Sequence, residues 1–398
     1  MRKRNTLHPA PDVRRLRLRD KIKILSRRDR MGKAMPTWYR VLAVVLIIIA
    51  GLILINHFHR KDLDSRVVAP EPLTKGSSRL VFTGDLSLDG NIDVIGEMEG
   101  YSTLFSAVSP LWEDSSFVFT CMDGVVLPED HEGYPAEETA ENPCIVKKEA
   151  LSAAAQAGLN AFSLANDHVL DFGSAGLQQT VLAMESLGLN YAGAGENLPA
   201  AGECRILEAD GIRVGFIACS AINPNGPGPI DDYSLTTTAY SGLYRNILLA
   251  SDETDLLVVY VCWGDQDGIA VSEAQQKVAH QLIDSGADIV IGTHPHVLQP
   301  IEQYQNGWIF YSLGDLVSDG YQRAERESVL VRLDFDAQAG TGTFTLIPLL
   351  LEDFCPAPVE NGFYVSQIQQ SLLRDLDSDS YSIEENGRIT IPMTVSPQ

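Results

Sequence analysis

LLVVYVCWGDQDGIAVSEAQQKVAHQLIDSGADIVIGTHPH, residues Leu256–His296, passes from a nearly unbroken apolar run through a helical pattern to a second apolar run. Apolar runs with so little alternation belong to strands buried on both faces. Between them, Ser272–Ser285 has helical spacing, and Ser272 followed by Gln275 suits an N-terminal capping box. Strand, helix, strand is the unit of a sheet covered by helices. The stretch closes on His294-Pro295-His296, where alternate residues of an extended chain project to one side.

The pattern continues in both directions. LVFTGD (Leu80–Asp85), FVFTC (Phe117–Cys121), NAFSLAN (Asn160–Asn166), VGFIACS (Val214–Ser220) and WIFYS (Trp308–Ser312) read as further buried strands, with helical spacing at Ile145–Ala157 and Ser174–Leu187. Ala209-Asp210-Gly211 between strand-like runs reads as a hairpin, and Val329–Phe335 with Thr343–Leu349 as another, so the sheets are expected to be mixed. Val359–Leu376 is expected to be helical, while the last twenty residues carry no pattern. The fold class is α/β.

Charge divides the chain. Met1–Arg40 holds 14 Lys/Arg against Asp12, Asp20 and Asp29, a net of +11, so the remainder carries −34 of the total −23. An acidic body lacks the clustered cations that phosphate attraction needs, which disfavours nucleic acid as a partner, and none is expected. Val41–Ile55 is fifteen residues without a charge, and Trp38–Phe58 extends it to 21 residues. That length is about 31 Å of helix, enough to span a bilayer. The basic residues before it place residues 1–37 in the cytoplasm, the helix at 38–58 in the cell membrane, and everything beyond outside. A cleaved signal peptide is the competing reading, but the small-residue site Val67-Val68-Ala69 lies far past the apolar run. Residues 59–78, with Pro70 and Pro72, read as a stalk, 79–350 as the main domain, and 351–398 as a C-terminal helix and tail.

Asp85, Asp123, Asn166 with His168, Cys262, and His294 with His296 each fall at or just past the carboxyl end of an expected strand. In α/β sheets those ends form one edge, where ligands bind. Carboxylate, amide and imidazole converging there suit a divalent metal such as Zn, Mn or Mg. Each has a plainer reading too: Asp85 and Asp123 as turn residues beside glycine, His168 as a satisfied buried histidine, Asn166 or Asp171 as a helix cap.

LVFTGDLSLDG (Leu80–Gly90), SLANDHVLDFGSAGL (Ser163–Leu177), Val261–Glu302 and IFYSLGDLV (Ile309–Val317) occur in the order and at about the spacing of the CapA/PgsA family of poly-γ-glutamate capsule synthesis proteins. The chain resembles that family from Arg79 to Leu350. The resemblance implies a four-layer α/β sandwich of two mixed sheets, similar to calcineurin-like metallophosphoesterases. It also implies a metal site at the sheet edge, with Asn166 on the metal and His168, oriented by Asp171, donating to a leaving group or oxyanion. Implied partners are the membrane, membrane polyglutamate synthase subunits and an anionic polymer.

The chain departs from the family's pattern at telling places. Cys121-Met122-Asp123 stands for Asn-Leu-Glu, and Cys262-Trp263-Gly264-Asp265-Gln266 for His-Trp-Gly-x-Glu. Asp167 and Asp315 each replace an asparagine, and Asp85-Leu86-Ser87 lacks the histidine of the phosphoesterase Asp-x-His. A single metal on Asp85, Asn166, His294 and His296 and a purely binding site are both compatible with these changes. Cys121 and Cys262 have three fates open to them: a disulfide, thiolate ligation by Cys262, or buried inert thiols. Arg323 and Arg326 are candidates for a basic patch that would offset repulsion between the acidic body and a polyanion. Three functions follow as expectations: a capsule-assembly protein with a hydrolase-type centre, a non-catalytic scaffold on a synthase complex, and a phosphoesterase acting on cell-wall phosphates.

Overall fold

Residue parity along the strands sorts the core into layers. In the fully buried strand Leu256–Cys262, Leu256, Val258 and Tyr260 pack with Phe82 and Phe119, whereas Leu257, Val259 and Val261 pack with Leu243, Ile247, Ala279 and Leu282. The same split separates Phe216 from Ile217, Ile291 from Val290, and Phe310 from Ile309. A period of two with both faces apolar is what a sheet caught between another sheet and a layer of helices requires.

The computed structural model describes residues 77–395, except 141, 223–225, 227 and 361. The first sheet runs, from edge to edge, Ser382–Ile383, Ile389–Thr394, Thr341–Glu352, Glu327–Asp336, Ser77–Ser87, Phe117–Asp123, Ala161–Ser163, Asn190–Ala192. From Ser77–Ser87 onward its pairings are parallel, and on the other side they are antiparallel. Asp315–Val317 joins Ser77–Ser87 in parallel, and Cys355–Pro358 joins Thr341–Glu352.

The second sheet runs Leu298–Tyr304, Gly307–Leu313, Ile289–Thr293, Leu256–Cys262, Ile212–Ser220, Arg205–Ala209, parallel at its centre and antiparallel at both edges. The sheets meet face to face through aromatic rings. Phe119 lies 5.1 Å from Phe216, edge to face, and Tyr260 donates its hydroxyl to the Thr83 carbonyl at 3.1 Å. Helices Ser241–Ser251 and Glu273–Asp284 cover the far face of the second sheet, and helices Lys148–Gln156 and Gly173–Ser186 pack their buried residues on the first.

Local chemistry behaves as the sequence implies. Ser272 accepts from the Gln275 N–H while Gln275 returns the bond to the Ser272 N–H, a complete capping box. Asp210 and Gly211 both take positive φ, 56° and 84°, as a two-residue hairpin turn requires. The expected helix at Val359–Leu376 is Phe363–Leu373, and the unpatterned C-terminal residues add strand Ile389–Thr394 beside Thr341–Glu352. The expected basic arm and membrane helix Trp38–Phe58, with the stalk up to residue 76, lie outside the described residues. Among the described residues no helix is long and apolar enough to cross a membrane.

Candidate metal centre

The parallel strands of both sheets end at one edge, and register brings their last residues level. Asp85 pairs with Cys121 and with Asp315 in the first sheet; Cys262 pairs with Ser220 and Thr293 in the second. Asp123 ends its strand two residues after Cys121, and His294 follows Thr293 directly. Loops starting from these ends carry Asn166, Asp167 and His168 past Ser163, and His296 past His294.

Three sets of donor atoms result, each lying within 4.8 Å of one another: Asp85, His296 and Asp315; Asp123, Asp167 and His168; Asp167, Cys262 and His294. Asp167 belongs to two of them. Its Oδ1 lies 3.1 Å from His294 Nδ1 and accepts from the Cys262 thiol at 3.7 Å, while Oδ2 lies 3.8 Å from His168 Nε2. Asp315 Oδ1 lies 2.9 Å from His296 Nδ1, and Ser87 donates to Asp123 at 3.0 Å. Asn166 braces the loop: its Oδ1 accepts the His168 N–H at 2.9 Å, and its Nδ2 donates to the Met122 carbonyl. His168 Nδ1 sits 2.7 Å from Asp171 Oδ2, an oxygen that also accepts the Cys144 N–H at 3.2 Å. That leaves Nε2 of His168 directed away from Asp171.

Electrostatics show what this edge lacks. Burial pushes the Asp85 carboxyl up to about 7 against the opposing charge of His296, and Asp315 and Asp123 add repulsion. Burial likewise raises Asp123. Burial acts to raise Asp167 as well, but the hydrogen bond and charge of His294, with the charge of His168, hold it below the usual carboxylate range. Burial would lower His168, yet hydrogen bonds to Asp171 and Cys144 and the charge of Asp123 take it up to about 12. His296 is raised in the same way, burial opposing and Asp315, Asp85 and Asp123 prevailing. Burial raises the thiols of Cys121 and Cys262 well above their ordinary value. Buried carboxylates only partly compensated by imidazole, with O, N and S donors already gathered, fit a divalent cation in donor type and charge.

All of these donors lie within residues 79–320, the segment that matches the profile of the family described as bacterial capsule synthesis protein PGA_cap. The chain belongs to this capsule synthesis family. Its similar proteins include the capsule biosynthesis protein CapA of Bacillus anthracis, 28% identical over 89% of this chain and 86% of that one. The PGA biosynthesis protein CapA of Bacillus subtilis is 26% identical over 78% and 80% of the two chains. Among solved structures, the NAD nucleotidase of Haemophilus influenzae superposes with a TM-score of 0.42 at 11% identity, covering 74% of this chain and 56% of that one.

In this family member the edge opens into a cleft of about 680 Å³. Asp89, Asp123, Asp167, Asp171, Asp267, Asp315, Asp319 and Glu325 line it, and no lysine or arginine does among the described residues. The expected basic patch is therefore not at the site: Arg323 pairs with Glu327 and lies over the Phe363 ring, and Arg326 donates to the Leu351 carbonyl. All six cysteines are free, so Cys121 and Cys262 form no bridge. Of the residues singled out from sequence, the structure brings Asp85, Asp123, His168, Cys262, His294 and His296 into the donor sets, with Asn166 and Asp171 as their supports. Asp167 and Asp315 stand out in the sequence only as departures from the family's pattern. A signal for Asp315 was present: Gly314-Asp315 after a buried strand repeats Gly84-Asp85, and the two aspartates pair in register.

Proposed function

We propose that this capsule synthesis family member is anchored in the cell membrane by Trp38–Phe58, with its acidic body outside, where it acts in poly-γ-glutamate assembly or export through a divalent-cation centre of hydrolase type. The observation that supports the centre is the meeting of Asp85, His296 and Asp315 within one donor set at the sheet edge. Those three residues would hold the ion, which when bound supplies Lewis-acid polarisation of a substrate oxygen. The chain's own contribution is positional. Asp171 fixes the His168 ring through Nδ1, which presents Nε2 for proton donation at the cleft side. A cation also answers the charge difficulty: an anionic polymer entering a cleft lined by carboxylates needs positive charge that no side chain there supplies in quantity.

Cys262, standing where the family's pattern has histidine, and Ser87, standing where the phosphoesterase Asp-x-His has one, favour a second reading, in which the centre binds polymer without turning it over. Metal content of the purified full chain and of Asp85→Ala, with hydrolysis of a phosphoester and of poly-γ-glutamate measured on both, separates the readings. Metal in the wild type that falls in Asp85→Ala, with metal-dependent turnover in the wild type alone, supports the hydrolase. Metal without turnover supports the binding protein, and a wild-type chain that retains no Zn, Mn or Mg sinks both. Protease added to intact protoplasts tests topology: digestion that spares the body while removing the arm before Trp38 would reject the outward-facing arrangement.

A further inference from the structure

The three donor sets differ in chemical softness. Asp85, His296 and Asp315 offer two carboxylates and an imidazole, whereas Asp167, Cys262 and His294 offer one carboxylate, one imidazole and a sulfur. Soft thiolate ligands select zinc over the hard cations that carboxylates suit. Two separations within the second set are close to edges of a zinc tetrahedron. Zn–S of about 2.3 Å with Zn–O and Zn–N near 2.1 Å gives tetrahedral edges of about 3.6 Å for S···O and about 3.4 Å for N···O. The corresponding separations are 3.7 Å from Cys262 Sγ to Asp167 Oδ1 and 3.1 Å from His294 Nδ1 to the same oxygen.

The three donors are also fixed from behind. Cys262 is buried at the end of the central strand of its sheet, and the His294 N–H is tied to Asp85. His294 holds φ at 87°, a conformation that costs a non-glycine residue about 1–3 kcal/mol and is retained where surrounding structure imposes it.

We infer that Asp167, Cys262 and His294 form a separate, sulfur-bearing cation position that takes zinc, beside the oxygen-rich position at Asp85, His296 and Asp315. The inference rests on the cation reading above and assigns two residues, Asp167 and Cys262, that depart from the family's pattern. Binding transfers the sulfur electron pair to the cation and releases the thiol proton to solvent. Three protein ligands leave a position open for water or substrate. Asp167, through Oδ2, links this position to His168 and Asp123.

Cobalt is the probe. The chelator-treated full chain, titrated with Co²⁺, is expected to develop thiolate-to-cobalt charge-transfer absorption in the near ultraviolet. Cys262→Ser should lose that band and one bound ion while keeping cobalt at the other position; Asp167→Asn should weaken the sulfur-bearing position selectively. If Cys262→Ser fails to fold, X-ray absorption of the zinc-loaded wild-type chain carries the test, with a sulfur neighbour at about 2.3 Å expected. Cobalt bound without the band, a band that persists in Cys262→Ser, or zinc with no sulfur neighbour would overturn this inference alone. A wild-type chain that binds no cobalt overturns it together with the cation reading on which it rests.

Discussion

The backbone N–H of His294 donates to Oδ2 of Asp85 at 3.0 Å, joining the residue after strand Ile289–Thr293 of the second sheet to the end of strand Ser77–Ser87 in the first. The two sheets are thus tied at the edge that carries the donors. Motion of one sheet against the other would cost this bond as well as the aromatic packing behind it, so the donor geometry is built on rigid elements.

Replacement of Asp85 separates its two roles. Asp85→Asn keeps an oxygen to accept the His294 N–H, whereas Asp85→Ala leaves that donor without one, at about 1–3 kcal/mol. Asp85→Ala is therefore expected to melt earlier than Asp85→Asn. Both should lose the rise in Tm that Mn, the harder cation, gives the wild type at the oxygen-rich position, a rise worth about 2.7 kcal/mol at a hundredfold excess over Kd. Thermal melts with and without chelator measure both effects; a wild-type Tm indifferent to chelator and cation alike contradicts the metal centre.

Phe119 joins the sheets through aromatic rings, with Phe216 at 5.1 Å and Tyr260 at 6.3 Å across the interface and Phe82 at 5.2 Å beside it in the first sheet, all between ring centroids. Phe119→Ala should cost about 3–5 kcal/mol. Denaturant titration of the variant provides the number, and a loss below about 1 kcal/mol would mean that the sheets are not held through this cluster.

Gly84 sets how closely Ser77–Ser87 approaches the loop before Asp315. A Cβ there would lie 1.7 Å from the Gly314 carbonyl oxygen, a backbone atom with nowhere to go. Gly84→Ala should displace Asp85 from Asp315 and destabilise the chain by about 3 kcal/mol or more. A variant with wild-type stability and unchanged cation binding would show that this approach is not needed.

How far the sequence reaches depends on whether a residue's neighbours are local. Unbroken apolar runs such as Leu256–Cys262 announce buried strands because burial on both faces leaves no polar position, and Ser272 with Gln275 announces a helix start because both partners lie within one turn. His294 and His296 were legible for the same reason, as close neighbours at a strand end. Asp167 was not, because its value lies in Cys262 and His294, 95 and 127 residues away. Strand Ile389–Thr394 was missed because it is an outer strand with alternate residues exposed, paired on one side only by the two-residue Ser382–Ile383. Arg323 and Arg326 misled because their charge is spent on Glu327 and on the Leu351 carbonyl, which local sequence does not reveal.

Asp288 supplies a test of the fold's electrostatics away from the cation edge, since it precedes strand Ile289–Thr293 at the opposite end from His294. Its Oδ2 accepts the Leu257 N–H at 2.8 Å, and burial pushes its carboxyl up from 3.8 to about 6. A carboxyl raised in the folded state favours the protonated form there. Its contribution to stability is therefore fully present below pH 3.8 and is lost as pH rises through about 6. A shift of this size has a ceiling of about 3 kcal/mol, and partial exposure reduces the expectation to about 1–2 kcal/mol. Asp288→Asn retains an oxygen for the Leu257 N–H and removes the charge. At pH 7.5 the variant should be more stable than the wild type by that amount, and the advantage should vanish below pH 4. Paired denaturant titrations at the two pH values check it: an equal gain at both would point to packing instead of charge, and a less stable variant at pH 7.5 would show that the ionised carboxylate is better solvated at this strand end than its burial implies.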